Sequence, residues 1–247
     1  MAKITEDDIK NYIEQNIPSF HQRRLESLVD LPLKEVLQRK NPYLFRAKHV
    51  TTAGELVRGI LDAYLSSQEE TIFGGFLEGL AVFICGQVYG GHKSAAEGID
   101  LEFVNDAVTY IVTIKSGPNW GNSSQINRMM DNFKKAKRIL ATNTSGQKVV
   151  AINGCCYGRD RSEDKGDYLK LCGQRFWSFI SGMENLYMDI IEPLGHKAKE
   201  RNEEFIEAYG KRINLFTKGF IDEFCLPDGA ILWDKIVRLT SSADGKY

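Results

Sequence analysis

Three residues near the middle of the chain have side chains suited to reaction chemistry. They are Asp100 in Gly98-Ile-Asp-Leu-Glu-Phe103, Lys115 in Tyr110-Ile-Val-Thr-Ile-Lys115, and Glu78, the single charge in the apolar run from Thr71 to Gly86. A carboxylate opening one strand and an ammonium closing the next can converge at one end of a β-hairpin. Carboxylate oxygens hold hard divalent cations, and a neighbouring lysine orients or deprotonates water and offsets the charge that builds on a phosphodiester under attack. Glu78 joins them because a carboxylate buried in an apolar helix needs a cation, a donor or a metal beside it; a structural hydrogen bond is the plainer alternative. Other chemistries lack their residues. His21, His49, His92 and His196 fall in no nucleophile arrangement, no glycine-rich phosphate loop occurs, and Cys85, Cys155, Cys156, Cys172 and Cys225 lack zinc spacing.

The segments around these residues predict how they are held. Ile99, Leu101 and Phe103 alternate with Asp100 and Glu102, which puts both acids on one face of a strand. After a turn at Asn105-Asp106, Val108–Lys115 is apolar on both faces, as in a central strand of an α/β sheet covered on two sides. A tight loop, Ser116–Gly121, leads to Asn122-Ser-Ser-Gln125, rich in the hydroxyl, amide and backbone donors that grip phosphate, and then to a helix over Ile126–Leu140 with a basic side. Lys148–Asn153 predicts a third strand, and the charged loop Arg159–Asp167 is either a recognition element or a solvated connection.

Helices are expected on either side of this centre. Thr5–Ile17 forms one, ended by Pro18; Phe20–Val29 and Leu33–Arg39 follow, then a turn at Asn41-Pro42-Tyr43. Thr52 and Glu55 form a capping box for a helix that stops near Ser66-Ser67. Beyond the loop, Gln174–Ile180, Glu184–Ile191 and Lys197–Phe224 read as helices, with a last apolar segment over Ala230–Leu239. The stripe of Lys197–Phe224 is more apolar than a solvent-facing helix needs, so it packs on the core or on a second subunit.

Composition sets the frame. With 247 residues, 43% hydrophobic and 26% charged, the chain is an ordinary globular protein, and its net charge of −1 means that a nucleic-acid partner must meet a local basic patch. Acids in Met1–Lys10 argue against a secretory peptide and no later apolar stretch reaches the length of a membrane span, so a cytoplasmic protein with reduced cysteines and no membrane role is expected.

Gly98-Ile99-Asp100 followed by Thr113-Ile114-Lys115 resembles the PD-(D/E)xK signature of restriction-endonuclease-like nucleases. The wider match adds Glu78 in the preceding helix, Gln125 opening the following one, and the blocks Asn41–Phe45, Gly98–Phe103, Ile114–Ser123 and Asn153–Gly158, which are similar to those of type II restriction enzymes of the PmeII family and of the related dimeric enzyme that cuts RGGNCCY. The resemblance implies a mixed β-sheet flanked by helices, with an N-terminal helical region over 1–70, a catalytic core over 71–180 and a dimerising helical region over 181–247 that together form one compact unit. It also implies Mg²⁺-dependent cutting of double-stranded DNA at a short palindrome, possible interruption of the GGNCC kind included, by a homodimer with a cognate methyltransferase in the same system.

Two positions depart from the pattern: Ile99 replaces proline, and Thr113 stands where a second acid is expected. The resemblance therefore assigns Asp100 and Lys115 to catalysis, leaves Glu78 or Glu97 to complete the metal site with Asp100, and puts Glu102 third. Ser116, Asn119, Asn122, Ser123 and Gln125 would meet the DNA backbone, while Arg128, Arg159, Arg161 and Lys165 would face bases. Two alternatives stay open: a structure-specific or repair nuclease of the same fold, and a non-catalytic DNA-binding protein that has lost an acid.

Overall fold

The computed structural model describes residues 4–29, 31–143 and 148–243. In chain order the elements are α1 (Glu6–Val29), α2 (Leu33–Gln38), α3 (Pro42–Ala47), α4 (Ala53–Tyr89), β1 (Leu101–Asn105), β2 (Val108–Lys115), α5 (Ser123–Asn143), β3 (Lys148–Cys155), β4 (Leu169–Cys172), α6 (Gln174–Ser181), α7 (Leu186–Asp189), α8 (Ile191–Leu194), α9 (Ala198–Phe224) and α10 (Trp233–Ser241). They divide into two compact units, Met1–Pro18 with Phe73–His196, and Ser19–Ile72 with Lys197–Tyr247.

The first unit is built on a mixed sheet in the order β1-β2-β3-β4, with β1 antiparallel to β2 and both β2–β3 and β3–β4 parallel. The two-residue turn Asp106-Ala107 has positive φ at both residues, 50° and 60°, the backbone that lets β1 and β2 pair directly from Asn105 to Val108. Strand β2 has both faces filled, as its composition requires. On one face Ile111 joins Ile99, Ala151, Met129, Phe133 and Ala136 in a core beneath α5. On the other, Phe103 and Tyr110 stack and both meet Phe179 of α6, while Tyr89 of α4 stacks on Phe103. The apolar end of α4 buries Leu80, Ala81 and Ile84, and Tyr12 of α1 stacks on Phe83. This mixed α/β arrangement is the restriction-endonuclease-like architecture.

The second unit is helical. Leu28, Leu37, Leu56, Leu61, Phe216 and Phe220 lead its core, with Ile236 and Leu239 of α10. Asn41 caps α3 by accepting the Tyr43 N–H at 3.0 Å, and Pro42 fills the first helical position, so the expected turn is a helix start. Thr52 Oγ1 accepts the Glu55 N–H at 3.3 Å, as the capping box predicts.

Two expected helix ends are overridden. Pro18 lies inside α1, and α4 runs without a stop through Ser66-Ser67 to Tyr89. Proline removes one hydrogen bond and serines only weaken a helix locally, so apolar residues spaced along both helices outweigh them. The merged α4 is also long and apolar enough, by length and composition, to cross a membrane, contrary to the expectation that no stretch reaches that length. Its Leu56, Val57, Ile60 and Leu61 are core residues of the second unit and its Leu77, Leu80 and Ile84 are buried in the first. Strand β4 has no counterpart in the sequence reading, because four residues are too few to show a period.

Candidate active site

Asp100 and Lys115 meet at one end of the sheet. The Asp100 N–H donates to the Val112 carbonyl at 2.9 Å, extending the β1–β2 ladder past Leu101, and its Oδ2 accepts the Ile114 N–H at 2.6 Å. Lys115, the last residue of β2, brings its Nζ to 3.7 Å from the same Oδ2. Both side chains reach the surface, 21% exposed for Asp100 and 32% for Lys115, so the pair is open to a substrate and held from behind. Gly98 sets the approach: its φ is +72°, and a Cβ there would lie 2.1 Å from Asn132 Nδ2 on α5, so a side chain is excluded by space and by backbone conformation. The Lys115 ammonium also lies 5.4 Å from the Trp120 ring centroid, a cation–π contact that fixes it over the following loop.

The candidate second acids are placed differently. Glu78 has a half-buried side chain on α4 whose Oε1 lies 3.4 Å from Lys93 Nζ, the cation that its apolar setting requires. Its charge is also felt at Cys156, whose thiol is pushed up to about 12, first by burial and then by Glu78. Cys156 itself donates its backbone N–H to the Lys115 carbonyl at 2.9 Å. Glu97 is exposed and paired with Arg128 at 3.2 Å. Glu102 accepts a hydrogen bond from Ser94 Oγ at 3.0 Å. Thr113 is buried, with its Oγ1 3.5 Å from Met129 Sδ under α5, so its side chain is part of the core. Among the described residues no group of three or more His, Cys, Asp and Glu side chains gathers closely enough to hold a metal ion.

The polar segment after Lys115 builds a helix start. Asn122 Oδ1 accepts the Gln125 N–H and Gln125 Oε1 accepts the Asn122 N–H, both at 3.0 Å, a reciprocal capping box that opens α5. Asn119 and Ser123 are exposed beside it, and Ser116 is half-buried with its carbonyl taking the Tyr157 N–H. Arg159, Arg161 and Lys165 are exposed on the 159–167 loop, and Lys165 Nζ lies 2.9 Å from Asp160 Oδ1. Sequence reasoning missed Trp120 and Lys170. Trp120 stood inside a loop read for its polar groups, and Lys170 in a strand too short to recognise; only its alternation with Leu169 and Leu171 marked it as facing away from them.

A mixed sheet whose hairpin end exposes a paired aspartate and lysine, next to a capped helix and a charged loop, defines a nuclease-type α/β protein. Residues 7–202 match the family described as type II restriction endonuclease EcoO109I, and the chain belongs to that family. Its substrate is accordingly DNA. Comparison with curated proteins finds no match.

Proposed function

We propose that this restriction endonuclease is a PD-(D/E)xK enzyme that uses Mg²⁺ to hydrolyse both strands of DNA at a short palindrome, interrupted in the GGNCC manner, and that it works as a homodimer beside a cognate methyltransferase. The approach of Lys115 to Asp100 at 3.7 Å, at a solvent-reached sheet end, carries the reading. A hard cation that keeps several waters needs only one or two protein carboxylates plus phosphate oxygen, and this donor set fits it. Asp100 would hold the ion and Glu78, the charge of the apolar end of α4, would complete the pair; the bound ion would supply a charge that stabilises the pentacoordinate phosphate. Glu97 is the weaker candidate because its carboxylate is exposed and engaged by Arg128.

The chain's own groups define the rest of the mechanism. Lys115 orients the attacking water and offsets phosphate charge, its ammonium steadied by the Trp120 ring. The Ile114 N–H and the ladder bond of Asp100 prevent that carboxylate from rotating away. Ser116, Asn119, Ser123 and the first-turn N–H groups of α5, opened by the Asn122–Gln125 box, bind backbone phosphates. Arg128, Arg159 and Arg161 read base edges.

Digestion of a sequenced genome with Mg²⁺ tests the reading. Wild-type protein should give discrete fragments, and Asp100→Asn or Lys115→Ala should cut at least about 100-fold more slowly, the scale on which such electrostatic groups act. Glu78→Gln should match them while Glu97→Gln stays within about threefold of wild type. Unspecific smearing favours a structure-specific or repair nuclease. DNA binding without any cutting favours the non-catalytic reading, for which the buried Thr113 in place of an acid is the supporting observation.

A further inference from the structure

We infer that Lys170 is a positioning residue that couples sequence reading by the Arg159–Asp167 loop to catalysis by Lys115, by clamping that loop to the segment following Lys115. This rests on the proposed catalytic role of Lys115 and on the proposed reading of base edges by Arg159 and Arg161. The Lys170 ammonium donates to the Pro118 carbonyl at 3.0 Å and lies 3.1 Å from Asp160 Oδ2, and both charged side chains are largely buried, 16% and 17% exposed. One side chain thus holds a backbone atom three residues beyond Lys115 and a carboxylate one residue beyond Arg159.

The loop is organised around that carboxylate. Asp160 Oδ1 accepts the Ser162 N–H at 3.0 Å and lies 2.9 Å from Lys165 Nζ, so the chain between Arg159 and Gly166 is gathered on a single acid. The Lys170 N–H donates to the Glu163 carbonyl at 2.8 Å, and Glu163 in turn pairs with Arg175. Where the two segments touch, backbone bonds run in register: Cys156 N–H to Lys115 carbonyl at 2.9 Å and Tyr157 N–H to Ser116 carbonyl at 3.1 Å. Gly158, with φ +93°, lies so near Pro118 that a Cβ would come within 2.6 Å of its ring. Trp177 secures the turn by donating its Nε1–H to the Cys156 carbonyl at 2.7 Å.

On the remaining side the loop is backed by space. A cavity of about 560 Å³ is lined by Arg159, Asp160, Lys170, Arg175, Trp177 and Tyr187. The Asp160–Lys170 ion pair lines that cavity and, with the Glu163 contacts to the Lys170 N–H and to Arg175, holds the loop at its edge. A displacement of the loop on a wrong base pair would therefore pass through Asp160 and Lys170 to Pro118 and on to Lys115.

The test uses full-length protein and DNA fragments that carry either its mapped site or that site with one base pair changed. Lys170→Met should lower the single-turnover rate on the correct site about tenfold or more at saturating DNA, as small positional errors at a reacting centre do. Half-saturation should stay within about threefold, and the ratio of rates on correct and altered sites should fall about tenfold. Lys170→Arg, which keeps the cation, should restore most of that ratio. Asp160→Asn, which keeps the bond to Pro118, should also reduce it, and it decides the matter if Lys170→Met fails to fold. A ratio unchanged in a folded variant, or an equal loss on both fragments, overturns the inference. Asp100→Asn run alongside separates the two levels. If it cuts like wild type, or wild type does not cut, the catalytic assignment falls and the coupling with it; if Asp100→Asn is inactive while the Lys170→Met ratio is unchanged, only the coupling falls.

Discussion

Lys165 and the Ser162 N–H hold the Asp160 carboxyl at about 2, well under the ordinary carboxylate value near 4. A carboxyl whose folded value is depressed contributes its stability above the unfolded value and loses it as pH falls through the folded one. Asp160 therefore supports the loop fully above about pH 4, and its contribution fades between about pH 4 and pH 2. Asp160→Asn should cost about 1–3 kcal/mol at pH 7, the cost of leaving charged donors unmatched. Urea unfolding at pH 7 and pH 3 checks this: the difference from wild type should shrink at the lower pH, and a constant gap would show that the carboxylate charge is not what holds the loop. At this scale the sequence was legible where pattern and chemistry coincided. Asp100 and Lys115 stood out because alternation put them at strand ends. Glu78 was marked by its isolation in an apolar helix, but its partner Lys93 was hidden in an unpatterned loop, and Lys170 owes its importance to Pro118 and Asp160, which are distant in the chain.

Among the elements, the hairpin that carries the site has one residue poorly suited to its place. Ala107 holds φ +60° at the second position of the two-residue turn, where asparagine-glycine or aspartate-glycine pairs are favoured. An L-residue with a Cβ is strained there by roughly 1–2 kcal/mol, part of which glycine returns through its own chain entropy. Ala107→Gly is expected to raise stability by about 0.5–1 kcal/mol by urea unfolding while leaving cleavage unchanged, since the turn lies at the opposite end of β2 from Lys115. A loss of stability would mean that the alanine methyl makes a contact worth more than the strain. The turn itself was predicted one residue early, at Asn105-Asp106, because both are common turn residues. Strands β1, β2 and β3 and helices α5 and α9 were predicted from their periods with ends shifted by a few residues. The errors at Pro18 and Ser66-Ser67 share a cause: local breakers were given more weight than buried side chains on either side of them, and burial is settled only by the rest of the fold.

For the whole molecule, net charge −1 gives no general attraction to DNA, so binding must come from a few placed groups, and the palindromic site proposed above asks for the same groups twice. A two-fold homodimer supplies that repetition, with each active site meeting one strand. Helix α9 offers apolar side chains that its own unit leaves uncovered: Ile206 is 57% exposed and Ile221 47%. Fifteen residues apart, they lie about 60° from each other around the helix axis, close enough to share one edge of it. If that edge meets a second copy, the wild-type protein sediments at twice the 27.9 kDa of one chain. The double substitution Ile206→Glu and Ile221→Glu places two charges in the contact and should give a 27.9 kDa species at micromolar concentration. With one active site per particle, that variant should nick supercoiled plasmid faster than it linearises it, whereas a dimer would break both strands in one encounter. A wild-type protein that sediments as a single chain and still produces linear plasmid without a nicked intermediate would rule out the homodimer, and a dimer that survives both substitutions would move the contact away from α9.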